Sequence, residues 1–236
     1  MKIIVDAIGG DNAPVEIVKG AVSAAKARPE LEIALVGREA EVRAALERAG
    51  GAPGNVSVVN ASEVIDMHDN PATAFRLKKD SSITVGLNLL LDGEGDAFVS
   101  AGSTGALLSA GTLIVKRIKG IRRAAFSPVI PTAGNGAVLI DCGANAECSV
   151  EYLTQFAYIG SYYARRVMGL ERPRVGLLNI GSEESKGDQL RQDTYQVLRA
   201  AGDAGHLNFI GNIEAKEAVK GGCDVIVTDG FTGNVM

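Results

Sequence analysis

Tryptophan is absent and histidine occurs only at His68 and His206. With so little imidazole, and with no G-x-S-x-G elbow to carry a nucleophile, a Ser-His-Asp hydrolase is excluded. Cysteine is equally scarce: Cys142, Cys148 and Cys223 form an odd set without a C-x-x-C pair. Neither a disulfide framework nor a zinc site is expected from them, and a reducing compartment fits best. Glu183 and Glu184 stand next to each other with no histidine or aspartate cluster beside them, so no metal is expected either. No apolar run approaches the roughly 20 residues of a membrane-spanning helix. The start Met1-Lys2-Ile3-Ile4-Val5-Asp6 places a carboxylate where a signal peptide needs an apolar stretch. The expected location is therefore cytoplasmic. A net charge of -4 provides no global basic field for nucleic acid. No G-x-G-x-x-G follows the first strand, and Gly181 to Gly187 does not fit a phosphate-binding P-loop, so no nucleotide cofactor is expected.

Glycine is abundant, with 29 residues among 236, against an average share of about 7%. It has no G-X-Y period, so the glycines serve turns and close backbone approaches. Short β-branched runs alternate with longer helical stretches. Strands are expected at Lys2–Val5, Glu32–Val36, Val56–Val59, Ala97–Val99, Ala137–Ile140, Arg174–Leu178, Leu207–Ile210 and Val225–Val227. Val150 to Met168 reads as the clearest helix, with Leu153, Phe156, Ala157, Gly160, Ala164 and Val167 on one face. Pro14 suits a first helical turn, and the proline-bearing stretch Ala124–Pro131 suits an edge strand or an irregular crossing. The alternation predicts a three-layer α/β/α sandwich with a mostly parallel sheet. No repeat, low-complexity tract or obvious linker interrupts residues 1–236, which are read as one catalytic domain. Val225–Val227 is expected to need a covering helix past Met236, so the chain reads as part of something longer.

In open α/β sheets, ligands sit beyond the carboxyl ends of the strands. Five loops stand there: Asp6-Ala7-Ile8-Gly9-Gly10-Asp11-Asn12, Ser100-Ala101-Gly102-Ser103-Thr104-Gly105, Asp141-Cys142-Gly143-Ala144-Asn145, Asn179 through Lys186-Gly187, and Thr228-Asp229-Gly230-Phe231-Thr232-Gly233-Asn234. Each offers small side chains, backbone N–H groups and hydroxyls, the inventory of an anion site. Together they are expected to converge on one anionic-ligand pocket.

In this order and register the loops resemble the PlsX family of phosphate acyltransferases of bacterial phospholipid synthesis. The resemblance runs from Met1 to Met236, with Ile8, Ser103 and Arg123 as modest departures from the family pattern. It implies a fold like that of phosphotransacetylases and isocitrate dehydrogenases. It also implies a reaction in which inorganic phosphate attacks the thioester of acyl-acyl carrier protein, giving acyl phosphate, with no cofactor. A homodimer, peripheral membrane association and a C-terminal helical part beyond this chain are implied as well.

Such a reaction makes modest demands. Phosphate is already nucleophilic, and a thiol of pKa about 8.5 leaves without strong acid help. Orientation and charge stabilisation remain. On this basis Lys186 is expected to neutralise phosphate or the oxyanion, Asn145 to orient the thioester carbonyl, and Asp229 to accept a proton or orient a turn. Gly102, Ser103, Thr104 and Gly105 are expected to donate to phosphate, with Asn12, Thr232 and Asn234 completing the wall; a carboxylate beside phosphate repels it, so Asp11 and Asp141, also placed at the binding site, are expected to orient a lysine or a backbone turn. The cluster Lys116, Arg117, Lys119, Arg122 and Arg123 suits either a solvated helix end or a docking patch for acidic carrier protein. Two other readings stay open: a phosphotransacetylase-like enzyme using acyl-CoA, and a non-catalytic carrier-protein-binding scaffold.

Overall fold

The computed structural model describes residues 1–236, which divide into two compact units, Met1–Arg117 and Ile118–Met236.

The first unit is built on a four-stranded parallel sheet of order β3-β2-β1-β4. Its strands are β1 (Lys2–Asp6), β2 (Glu32–Gly37), β3 (Val56–Asn60) and β4 (Ala97–Val99). The central strand β2 is buried from Ile33 to Gly37 on both faces, which explains its continuous apolar run. Ile33 and Leu35 pack with Val18, Val22, Val42 and Leu46 of helices α1 (Val15–Ala27) and α2 (Glu39–Arg48). Ile4 and Val36 face the opposite way, toward Val85, Leu89 and Phe98. A short helix α3 (Ala74–Leu77) precedes α4 (Ser82–Leu91), whose N-terminus is capped by Ser81 accepting from the Thr84 N–H. Helix α5 (Thr104–Ala110) runs on into a π-helical turn at Gly111–Val115.

The second unit carries a five-stranded sheet of order β5-β6-β9-β7-β8. Its strands are β5 (Val129–Ile130), β6 (Ala137–Ile140), β7 (Arg174–Leu178), β8 (Asn208–Ile213) and β9 (Val225–Val227). All pairings are parallel except β5 with β6. One face packs on α6 (Val150–Arg166) and α7 (Gln189–Asp203), where Val138, Ile140, Leu177, Val225 and Val227 meet Leu153, Phe156 and Leu198. The other face gathers Leu139, Ile226, Ile213 and Ala218. The short helix α8 (Ala215–Glu217) and a π-helical turn at Ala218–Gly222 follow β8, and α9 (Gly230–Val235) follows β9. No helix is long and apolar enough to cross a membrane.

The expected α/β class with mostly parallel strands is what the chain adopts, in two sheets rather than one. Four strands match the expected bounds, including Ala137–Ile140 and Val225–Val227. Strand β8 runs three residues past the expected Ile210, because the register shifts beside Gly176 and Gly211 takes φ +97°. A glycine that reads as a breaker thus serves a bulge within the strand. Of Ala124–Pro131 only Val129–Ile130 pairs, at the sheet edge. Pro14 occupies the N-cap of α1. Helix α6 buries Leu153, Phe156, Ala157, Gly160 and Ala164 as expected, but it ends at Arg166 and leaves Val167 exposed at the C-cap.

Two glycines test this packing in opposite directions. A Cβ at Gly160 would lie 2.5 Å from Val225 Cγ1, so Gly160→Ala pushes α6 off β9 and should destabilise by about 1–3 kcal/mol. Gly20, in the exposed part of α1, meets nothing within 4 Å, so Gly20→Ala should stabilise by about 1 kcal/mol. Urea unfolding of both variants reads the two signs.

Candidate active site

In the first unit a buried carboxylate organises the loops. Asp6 closes β1 with no exposure. Its Oδ1 accepts from the N–H groups of Ile8 (3.2 Å) and Gly9 (2.9 Å), and its Oδ2 accepts from the Ser100 hydroxyl at 2.7 Å. Ser100 Oγ in turn accepts from the Gly102 N–H at 3.0 Å. The loops after β1 and β4 are thereby tied so closely that a Cβ at Gly9 would lie 2.2 Å from Asp6 Oδ2. Asp11, Gly102 and Ser103 line one cavity of about 190 Å³ with Gly10, Ile65 and Met67. Ser103 is buried and caps α5, accepting from the Ala106 N–H. Thr104 is exposed in the first turn of α5, Gly105 packs on Pro71, and Asn12 is exposed without lining the cavity.

The second unit repeats the device. Asp141, fully buried, directly follows β6. Its Oδ1 accepts from Phe126 N–H (3.0 Å) and Ala144 N–H (3.2 Å), and its Oδ2 accepts from the Asn145 backbone (2.7 Å) and side-chain amide (2.8 Å). Asp141 is thus shut off from any ligand: it is not a substrate-binding residue, and it holds a backbone turn, one of the two orienting roles expected of it. Asn145 needs a similar correction. Both side-chain N–H groups are committed, one to Asp141 and one to Ala124 O at 2.8 Å. Only its carbonyl oxygen is left, and an acceptor cannot polarise a thioester carbonyl. Asn145 O also accepts from the Gly230 N–H at 2.7 Å, joining the β6 and β9 loops.

Asp229 caps α9 through the Thr232 N–H at 2.8 Å and accepts from the Thr232 hydroxyl at 2.8 Å. Its Oδ2 also pairs with Arg191 Nη2, and Arg191 Nη1 pairs with Asp188 at 2.7 Å. Burial pushes the Asp229 carboxyl up. Hydrogen bonds from Thr232 and the Arg191 guanidinium outweigh that and hold it below the usual carboxylate range. An anchored, acidified carboxylate of this kind orients its neighbours rather than collecting a proton. Arg191 was not foreseen from the sequence. Its only signal there is the spacing Asp188-x-x-Arg191 at the start of α7, which local capping also explains.

Lys186 is exposed in the β7–α7 loop. Asn234 is exposed near Gly143. A mainly apolar cavity of about 540 Å³ lies alongside, with Ile180, Phe231 and Val235 in its wall and Asn179, Arg191 and Thr232 at its polar side. Lys186, Asn145 and Asn234 stand outside its lining. Among the basic residues after α5, Arg122 pairs with Glu151 at 3.0 Å and Arg123 lies over the Tyr152 ring at 5.7 Å. Lys116 takes φ 73°, and Lys116, Arg117 and Lys119 are exposed. Burial raises all three thiols, Cys148 to about 11 and Cys223 to about 12, so none is a ready nucleophile.

The family model for "Fatty acid synthesis protein" matches residues 1–236. The phosphate acyltransferase of Heliobacterium modesticaldum is 50% identical over 237 aligned positions, covering all of this chain and 69% of that protein. The phosphate acyltransferase of Bacillus licheniformis is 46% identical over 236, with the same shares. This chain belongs to the phosphate acyltransferase (PlsX) family. It is accordingly an acyltransferase of fatty-acid and phospholipid synthesis. Its fold is also that of a phosphotransacetylase from Streptococcus pyogenes, with TM-score 0.72 and 21% identity over all of this chain and 79% of the other. The EutD phosphotransacetylase from Staphylococcus aureus gives 0.71 and 19% with the same coverage.

Removing Arg191 would strand a nearly buried carboxylate, so Arg191→Ala should destabilise by about 3 kcal/mol. Because the Asp229 pKa is depressed in the folded state, its contribution is complete above the ordinary carboxylate value of about 4 and is lost as pH falls through the lowered one. Asp229→Asn should therefore flatten the acid limb of the stability profile below about pH 4, measured by denaturant unfolding across pH.

Proposed function

We propose that the chain transfers the acyl group of acyl-acyl carrier protein to inorganic phosphate. A phosphate oxygen bonds to the thioester carbonyl carbon and the carbon–sulfur bond breaks. The carrier-protein thiolate leaves and acyl phosphate is formed. The observation that carries this reading is the set of polar loops at the carboxyl ends of β6, β7 and β9. There an exposed lysine stands among backbone turns fixed by buried Asp141 and Asp229, in a chain of this family. Lys186 supplies the positive charge that phosphate and a developing oxyanion both require. Thr232 and Asn234, at the carboxyl end of β9, are proposed to offer further polar groups. Gly102, Thr104, Gly105, Asp11, Asn12 and the turn capped by Ser103 are proposed to receive the anionic part of a substrate. Residues 1–236 are proposed to act together as the catalytic part.

The exposed cations Lys116, Arg117, Lys119, Arg122 and Arg123 are proposed to meet the acidic carrier protein, because charge complementarity guides such encounters. A cytoplasmic homodimer with peripheral membrane association rests on the family resemblance alone. The rival donor is acyl-CoA, toward which the phosphotransacetylase-like fold points.

Incubation with acyl-carrier protein and labelled phosphate should yield labelled acyl phosphate, and acyl-CoA should turn over more slowly. Equal or faster turnover of acyl-CoA would favour the rival donor. Lys186→Ala should lower kcat/KM about 100-fold with the melting temperature unchanged. Charge reversal at Arg122 and Arg123 should raise KM for the carrier-protein substrate and leave that for phosphate; equal effects on both would count against docking.

A further inference from the structure

A lysine on a surface loop is ordinarily a poor instrument for orientation, since both loop and side chain move. The loop that carries Lys186 is held in an unusual way. Gln192 Nε2, in the first turns of α7, donates to Ser185 O (3.0 Å) and to Gly187 O (3.1 Å). Asn179 Nδ2, just after β7, donates to Lys186 O at 3.0 Å. Asn212 Nδ2, on β8, donates to Glu183 O at 2.8 Å. The Glu184 carboxylate is held by the Tyr195 hydroxyl at 3.2 Å and by Arg199. Every residue from Glu183 to Gly187 is therefore gripped from outside the loop, on either side of Lys186.

The lysine stem has its own seat. A Cβ at Gly181 would lie 3.0 Å from Lys186 Cγ and 3.4 Å from Cδ, so the stem lies over a residue that has no side chain. Arg191 and Arg199 are each neutralised by carboxylates. Lys186 is exposed and forms no ion pair, although the Glu183 carboxylate shares its seat, with Oε2 2.8 Å from a Cβ at Gly181. Asn212 is 7% exposed and its Oδ1 meets no donor. Burying that amide is unfavourable on one side, and its hold on Glu183 is what it contributes.

We infer that Gln192 and Asn212 are positioning residues for Lys186, fixing the backbone on both sides of it so that its ammonium is presented in one place. The inference rests on the proposed role of Lys186 and names the groups through which that role is achieved. Neither residue lines the cavity of about 540 Å³, and each acts through the loop backbone.

The test is a double-mutant cycle on the full chain, with acyl-carrier protein and phosphate as substrates. Gln192→Met keeps length and removes both donated hydrogen bonds; Asn212→Leu does the same on β8. Each should lower kcat/KM for phosphate about 5- to 10-fold, as expected for one or two hydrogen bonds. In the Lys186→Ala background each should change it less than about twofold, because the group they position is gone. If Lys186→Ala has no effect by itself, the reading of the lysine fails. If it is costly but Gln192→Met costs the same with or without the lysine, the positioning inference alone is overturned. Amide hydrogen exchange supplies a readout independent of turnover. Gln192→Met should speed exchange at residues 183–187 about tenfold while β7 amides keep their rates. Unchanged exchange in the loop would also overturn the inference.

Discussion

A carboxylate placed inside the protein at the carboxyl end of a strand is the constraint on which the loops depend. Asp141 has no exposure and spends both oxygens on four N–H donors from Phe126, Ala144 and Asn145. A charge removed from water is tolerated only when its lone pairs are filled, so the segments that fill them cannot wander. Through Asn145 the constraint reaches Gly230 and the start of α9, where Asp229 repeats the arrangement with Thr232 and Arg191. Asp6 does the same for the loops after β1 and β4. Asp6 stood outside the expected site residues, yet it shapes loop backbone in the same way as Asp141 and Asp229.

This division of labour suits a reaction that needs little acid or base. Phosphate brings its own charge and a thiolate leaves readily, so what the protein must supply is position and a few dipoles. Aspartates near phosphate would repel it if they were exposed. Asp141 is saturated with N–H donors and Asp229 is paired with Arg191, so both carboxylates are committed to the protein. What the loops leave exposed includes Lys186 and Asn234, together with the acidic Glu183 and Glu184 and the apolar Ile180 and Phe231.

The α/β class was legible because β2, β6 and β9 are continuous apolar runs buried on both faces, and because α6 has a full apolar stripe. The division into two sheets was not, since periodicity reports which residues are buried and is silent on which strands pair. Gly211 misled for a local reason: a positive-φ glycine marks a turn and a bulge equally well. At the site, the loops after β1, β6 and β7 were legible as loops, but Gly230–Val235, read as a loop, is helix α9, and Thr104 and Gly105 open helix α5. Which aspartates are shut inside depends on contacts such as Asp6 with Ser100, 94 positions apart, which no local pattern encodes. Arg191, Gln192 and Asn212 were missed for the same reason, because each acts on a loop from a neighbouring element whose own sequence looks like ordinary helix or strand.

The raised thiols have a bearing on the product. Thioester cleavage liberates a free sulfhydryl beside the enzyme, and a protein with an ionised cysteine nearby would invite mixed disulfides with it or take part of the acyl group for itself. Cys148 and Cys223 are protonated throughout the physiological range, and Cys142 is shifted in the same direction. In the proposed reaction the chain would handle a sulfur ester while keeping its own sulfur chemically silent, and a reagent that titrates the liberated sulfhydryl would register the product over a low background from the enzyme.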